Sequence, residues 1–308
     1  MRKNKEEKGN LCTCSIGDKK KTCKFAEDKG VERVMMRKIL VCTFLFLLSF
    51  SASAQRGQLA AMRGVVANGY DFWLYAPREY IDEGARIPVI IFLHGASLCG
   101  RDLSKVRRYG LLDAIKRGRY YPCFVIAPQN SGGSWNPAKI AKILDWVEAH
   151  HKVDKTRVYV IGMSLGGYGT LDFVGTYPER VAAAMALCGG CTLKDYRGLG
   201  RVPLWIMHGT ADRAVPLSQS KSVVEQLQAT GNDGLLRYDW LKGASHGDLA
   251  RFLYLRQTYD WLFSHSLNDN PREVDRLVSL SLSDLRHAYE DLTPEETKFD
   301  VVKEIKSR

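Results

Sequence analysis

Seven short apolar runs, almost free of internal polar residues, limit what this 308-residue chain can fold into. They read DFWLYAP, IPVIIFLHG, CFVIAPQ, RVYVIGMS, AAAMALCGG, PLWIMHG and LLRYDWL. A strand that alternates apolar and polar residues hides one face. Most of these runs are continuous, so both faces must be covered, as in a largely parallel sheet with helices on either side. The segments between them supply such helices. In NPAKIAKILDWVEAHH, Asn136 is placed to cap, Pro137 takes the first helical position, and Ile140, Ile143, Leu144 and Val147 fall on one face. SQSKSVVEQLQATG and DLARFLYLRQTYDWLF are the later helices. Strands alternating with helices at this spacing predict βαβ units and an α/β fold: a doubly wound, mostly parallel sheet flanked by helices.

The two ends read differently. Met35-Met36-Arg37-Lys38 precedes an uncharged stretch, Ile39 to Phe50, and then Ala52-Ser53-Ala54. Positive, apolar, small-residue order is that of a secretory signal peptide. The apolar part is shorter than the roughly 20 residues of a membrane-spanning helix, so residues 35–54 are expected to direct export to the periplasm or beyond, without a permanent membrane anchor. Residues 1–34, with Cys12, Cys14 and Cys23, precede an already complete signal and are expected to be a non-native or disordered extension, translation starting at Met35 or Met36. A catalytic domain is expected over 55–267. The charged tail, 268–308, is expected to be helical, Thr293-Pro294-Glu295-Glu296 offering a capping box.

This division also settles the charge. The net +11 suggests a nucleic-acid partner, but residues 1–38 hold 12 Lys/Arg against 6 Asp/Glu, leaving 33 against 28 elsewhere. That balance, with no basic stripe interleaved with aromatics, argues against nucleic acid.

Ser164 lies in Gly162-Met163-Ser164-Leu165-Gly166, between a buried run and the helix-like LGGYGTLDFV. The pentapeptide alone is weak, but strand–turn–helix is the setting a nucleophile elbow needs, and the glycines let strand and helix backbones approach. A serine hydroxyl needs a base to take its proton and a third group to orient that base. His246, in the loop KGASHGDL after the RYDWL run, is the candidate base. His265 and His287 fit solvated helix faces. Asp212, just past PLWIMHG, is the candidate acid, and Asp172 is expected to be structural. The oxyanion that forms in acyl transfer needs backbone N–H donors. Those of Leu165 and of Ala96, in FLHGAS, are expected to supply them. His94 and His208 each precede a glycine at a run's end, where fixing backbone or packing is expected of them.

These residues resemble the α/β-hydrolase superfamily from about Tyr70 to Leu267. More narrowly, the chain resembles secreted bacterial esterases labelled "predicted peptidase" or polyhydroxybutyrate-depolymerase-like, near the phospholipase/carboxylesterase group. The resemblance rests on His94-Gly95-Ala96, Gly100-Arg101-Asp102, Ala127-Pro128-Gln129, Gly162 to Gly169, Tyr177-Pro178, Cys188-Gly189-Gly190, His208 to Asp212, Val215-Pro216 and His246. It implies a serine hydrolase that uses neither metal nor cofactor and forms an acyl-enzyme through Ser164, Asp212 and His246. Carboxylic esters are the implied substrates: short acyl esters, acetyl or feruloyl groups on polysaccharide, or polyesters. Two departures stand out: Ala96-Ser97-Leu98-Cys99 replaces a more glycine-rich loop, and the tail after Asn270 is additional. No long insertion lies between Ala182 and Pro203, where related lipases carry a lid, so an open site able to admit a sugar is expected. Trp135 has two readings, a substrate-binding aromatic platform or a loop plug.

Four cysteines remain after the signal, Cys99, Cys123, Cys188 and Cys191, and sequence does not choose among their three pairings. Cys188-Gly189-Gly190-Cys191 has redox spacing but continues a strand, so a structural role or free thiols are expected. A prolyl-oligopeptidase-like peptidase shares the fold and triad order, but no acidic pair for a peptide amino terminus is evident. A non-catalytic relative would be expected to lack a triad member.

Overall fold

The computed structural model describes residues 57–277, 280–290, 292 and 300–306. The extension (1–34) and signal segment (35–54) lie outside the described residues, as does the helix start expected at Thr293. Among the described residues nine strands form one sheet: β1 (Gln58–Arg63), β2 (Phe72–Ala76), β3 (Ile87–Leu93), β4 (Phe124–Pro128), β5 (Val153–Met163), β6 (Ala183–Leu187), β7 (Leu204–Gly209), β8 (Leu236–Leu241) and β9 (Asp300–Lys306). Their spatial order is β8-β7-β6-β5-β3-β4-β2-β1-β9. From β8 to β4 every pairing is parallel, while β2 runs antiparallel to both β4 and β1. The helices are α1 (Arg78–Glu83), α2 (Leu111–Lys116), α3 (Pro137–His150), α4 (Leu165–Thr176), α5 (Ser218–Ala229), α6 (His246–Leu249), α7 (Arg256–Phe263) and α8 (Leu282–Arg286).

The continuous apolar runs have their explanation in two cores, one on each face of the sheet. Along β3, Val89, Ile91 and Leu93 join one cluster and Ile90 and Phe92 the other; along β5, Val158 and Val160 oppose Tyr159 and Ile161. The first face carries the buried stripe of α3, Ile140, Ile143, Leu144 and Val147, and its Asn136 cap accepts from the Lys139 amide at 3.2 Å. The doubly wound parallel sheet expected from the sequence is present.

The tail departs from the helical expectation. Among the described residues it holds one short helix, α8, started by a reciprocal Ser281–Asp284 capping box, and a strand, β9, parallel to β1. The segment Asp300–Lys306 carries Val301, Val302 and Ile305, β-branched residues that favour an extended backbone, and β1 offers it an edge. Nor is the first part of the tail loose: Leu285 and Ala288 are buried in the core, and Arg276 donates to the carbonyls of Leu236 and Gly234.

The chain runs from β3 to β4 on one side and then to β5 on the other. The strand order therefore reverses at β3–β5, and in open α/β sheets ligands bind beyond the carboxyl ends of strands at such a point. Ser164 immediately follows β5.

Candidate active site

Four neighbouring parallel strands bring the candidate residues together. Met163 pairs with Leu187, Leu187 with Met207, and Gly209 with Leu241. The residues just past those ends are Ser164, Cys188, Asp212 and, after a tight turn, His246. The turns of β7 and β8 are tied to each other: Thr210 donates to the Leu241 carbonyl at 2.9 Å, Ala211 to that of Ala244 at 3.0 Å, and the Gly243 amide to Thr210 Oγ1 at 2.9 Å.

Ser164 is half-buried, with φ +58° and ψ −121°. Few non-glycine residues occupy that region, and holding one there costs on the order of 1–3 kcal/mol. Its amide donates to the Leu187 carbonyl at 2.8 Å, anchoring the turn to β6. The turn is sharp because two glycines permit contact between backbones. A Cβ on Gly162 would overlap the Gly166 carbonyl, and one on Gly166 would overlap the carbonyl of Leu93. α4 then starts with Leu165, so its first amides face outward without helical acceptors. Among the described residues, neither the Leu165 nor the Ala96 amide has an acceptor.

Asp212 is fully buried at its side chain. One oxygen accepts from the amides of Ala214 (2.8 Å) and Val215 (2.9 Å), and the other lies 2.7 Å from His246 Nδ1. Burial pushes the carboxyl up, but the Val215 amide, the His246 ring and the Ala214 amide outweigh it and hold the group below the usual aspartate value. It therefore stays ionised at neutral pH and accepts the Nδ1 proton, which leaves Nε2 of His246 with a free lone pair. His246 is the first residue of α6, held there by a capping box: Ser245 N donates to Asp248 Oδ2 at 2.9 Å, and Ser245 Oγ accepts from the Asp248 amide at 3.4 Å. No hydrogen bond joins Ser164 Oγ to His246 among the described residues; catalytic bonds are often long before substrate arrives.

Two histidines that the sequence assigns to backbone support have that geometry. His94 is buried and accepts from the Asn130 amide at Nε2 (3.1 Å), so Nδ1 carries the proton and donates to the Gly95 carbonyl at 2.8 Å. In a trans peptide the C=O and N–H point oppositely, so His94 fixes the direction of the Ala96 N–H. His208, in β7, packs against the acid loop, its Nε2 3.0 Å from the Val215 carbonyl and 3.3 Å from Asp212 Oδ2. Burial keeps it neutral by pushing its pKa down. Its other nitrogen is 2.7 Å from Ser220 Oγ on α5. His208 thus braces the loop that carries Asp212.

Trp135 corrects one expectation. It is only 3% exposed, donates from Nε1 to the His94 carbonyl at 3.3 Å, and sits edge-on to His94 and Tyr70. A Cβ on Gly169 would lie 2.6 Å from its ring. No indole face is open to a sugar, so Trp135 is a plug behind the Ala96 loop. His265 is likewise buried, not solvated, and hydrogen-bonded to the Trp261 carbonyl. Asp172 has the expected structural role, accepting from both the amide and hydroxyl of Thr192 at 2.7 Å.

Two more residues lie at the site: Tyr109, which the sequence did not single out, and Cys188, which the sequence marked only as structural or a free thiol. The Tyr109 hydroxyl accepts from the Gly95 amide at 2.8 Å, beside the Ala96 loop. Tyr109 lies between a 3₁₀ turn, Leu103–Arg107, and α2, in a stretch without a motif, so nothing in the sequence links it to Gly95. Cys188 has φ +40° and is buried, and its Sγ, an Asp212 oxygen and a His246 nitrogen all lie within 4.8 Å of one another. All four described cysteines are free thiols. Burial pushes Cys188 far above the usual thiol range and Cys191 up to about 12, which opposes a redox role for this pair.

Residues 127–235, which include Ser164 and Asp212, match a family model described as Esterase. Acetylxylan esterase A of Emericella nidulans is 29% identical over 131 residues, 39% of this chain and 43% of that one. Poly(3-hydroxyalkanoate) depolymerase C of Paucimonas lemoignei is 26% identical over 124 residues, 34% and 28% of the two chains. The chain thus spans less than half the length of these two curated relatives. A solved thermostable esterase superposes with a TM-score of 0.56 at 24% identity, over 70% of this chain and 64% of that one, a likeness of fold.

Proposed function

We propose, for a chain that belongs to the α/β-hydrolase superfamily, that it is a serine carboxylesterase working through an acyl-enzyme. The observation that carries this reading is the 2.7 Å contact between His246 Nδ1 and an Asp212 carboxylate already pinned by two amides, beside a serine in an elbow conformation. Nε2 of His246 takes the proton as Ser164 Oγ bonds to the ester carbonyl carbon. Negative charge then develops on the former carbonyl oxygen, and the N–H groups of Leu165 and Ala96 stabilise it. As the ester C–O bond breaks, His246 returns the proton to the departing alcohol. Water repeats the sequence on the acyl-serine and releases the acid. Asp212 orients the ring and balances its transient positive charge.

The substrate we assign is a small or aromatic acyl group, acetyl or feruloyl, on a bulky alcohol such as a polysaccharide. Two features support it. Residues 188–203 carry only a single 3₁₀ turn, Leu199–Arg201, so no lid of that kind stands over Ser164. One of the relatives is an acetylxylan esterase. Export, with a mature chain starting near Gln55, belongs to the same reading. No helix among the described residues is long and apolar enough to cross a membrane.

The test is a rate panel with p-nitrophenyl acetate, p-nitrophenyl butyrate, methyl ferulate and acetylated xylan, beside the anilide of the same acyl group. Esters hydrolysed at least a hundredfold faster than the anilide are expected. Comparable anilide turnover would move the assignment to the peptidase branch of the fold.

A further inference from the structure

Cys188 stands beside the Asp212–His246 pair, yet ester hydrolysis has no use for it. It closes β6 in a left-handed conformation, φ +40°, that glycine would adopt without strain. Its thiol is buried but near the site: Sγ, a carboxylate oxygen of Asp212 and a ring nitrogen of His246 lie within 4.8 Å of one another. The three come from the ends of β6, β7 and β8, and two of them, Cys188 and Asp212, are held by burial. We infer that Cys188, Asp212 and His246 form a site for a thiophilic divalent cation of the zinc type, and that its binding switches off hydrolysis.

The donor set suits such an ion. Thiolate, imidazole and carboxylate together favour zinc over magnesium or calcium, which take oxygen ligands. Tetrahedral zinc, at about 2.3 Å from sulfur and about 2.0–2.2 Å from nitrogen and oxygen, places ligand atoms roughly 3.4–3.6 Å apart. Contacts as wide as 4.8 Å must close by up to roughly 1.3 Å, and the 2.7 Å Asp212–His246 contact must open by less. His246, 26% exposed at its side chain, has room for that movement, and a water completes the tetrahedron. With thiolate, carboxylate and a neutral imidazole around a doubly charged ion, the buried site carries no net charge.

The proton balance explains the inhibition. The ion displaces the Cys188 proton to solvent. Nδ1, the ring nitrogen facing Asp212, gives its lone pair to the metal, and the single proton of the neutral ring moves to Nε2. Nε2 is then a donor and no longer accepts the serine proton. Inhibition in this form rests on the hydrolase reading; the metal site itself does not.

Cobalt(II) separates the two questions, because a cysteine-bound cobalt gives a thiolate charge-transfer band without any turnover. Titrated into the purified chain, it is expected to give one equivalent of band that Ser164→Ala keeps and Cys188→Ser loses. His246→Gln, altering a partly exposed side chain, is expected to bind cobalt at least tenfold more weakly. Zinc is expected to slow ester hydrolysis at least tenfold in the unmodified protein, with recovery on adding a chelator. The same zinc concentration should leave Cys188→Ser near its own metal-free rate. A band that survives in Cys188→Ser, or its absence from the unmodified protein, would overturn the site. A proper band with no esterase activity in any sample would instead overturn the hydrolase reading and leave the site standing.

Discussion

Ser164 and Cys188 occupy the ends of adjacent parallel strands, β5 and β6, and both turn the chain through a positive φ that non-glycine residues rarely hold. Their surroundings then diverge. Ser164 is half-buried and opens α4, a 12-residue helix whose first amides are free to meet an anion. Cys188 is fully buried, no helix follows it directly, and burial keeps its thiol protonated. Sulfur is intrinsically the better nucleophile, but only as the thiolate. The comparison teaches that, on the proposed reading, access and preorganised N–H donors, more than the nucleophilicity of the atom, favour Ser164 over Cys188 as nucleophile.

The largest expected effect comes from Asp212, the acid that Cys188 approaches. Asp212→Asn is expected to lower kcat on short esters by about 10³–10⁴-fold, since an amide no longer enforces the Nδ1–H tautomer; steady-state rates with unchanged melting would check it. Next is the close approach that the serine turn has. Gly166→Ala, whose new methyl meets the Leu93 carbonyl, is expected to destabilise by about 1–3 kcal/mol, read as a lower denaturation midpoint. An unchanged midpoint would mean that the elbow is less tightly packed than described.

Smaller effects sharpen the picture around the serine. Tyr109→Phe removes the acceptor of the Gly95 amide. A lost hydrogen bond of about 1 kcal/mol corresponds to roughly a fivefold lower kcat, with KM little changed. Trp135→Phe is expected to lower stability slightly and leave KM for acetylated xylan within about twofold, the ring being a plug; a large rise in KM there alone would restore the platform reading. The smallest effect is on acid stability. Because the Asp212 carboxyl is depressed in the folded protein, its contribution is present above the ordinary aspartate range and is lost as pH falls through the folded value. Asp212→Asn should flatten that part of an acid denaturation curve.

The central strands were legible because burial on both faces leaves a continuous apolar run, and α3 because Asn136 and Pro137 punctuate its start. β1 and β9 were not. An edge strand such as β1, QLAAMR, needs no such run, and β9 gains its partner only across the whole length of the domain. At the site, the order serine, acid, histidine pointed to Ser164, Asp212 and His246, since strand ends in this topology converge. Trp135 was ambiguous because the same loop tryptophan serves as a plug or a platform according to what packs on it, and Tyr70, His94 and Gly169 are distant in sequence. His208 was legible as backbone support, but its contact with Asp212 depends on how the acid loop folds back.

The most direct test is peptide-resolved mass spectrometry after treatment with a fluorophosphonate. The account predicts one adduct, on the peptide bearing Ser164, that disappears in Ser164→Ala while the fold persists. No adduct on the unmodified protein, or one that remains in Ser164→Ala, would contradict it.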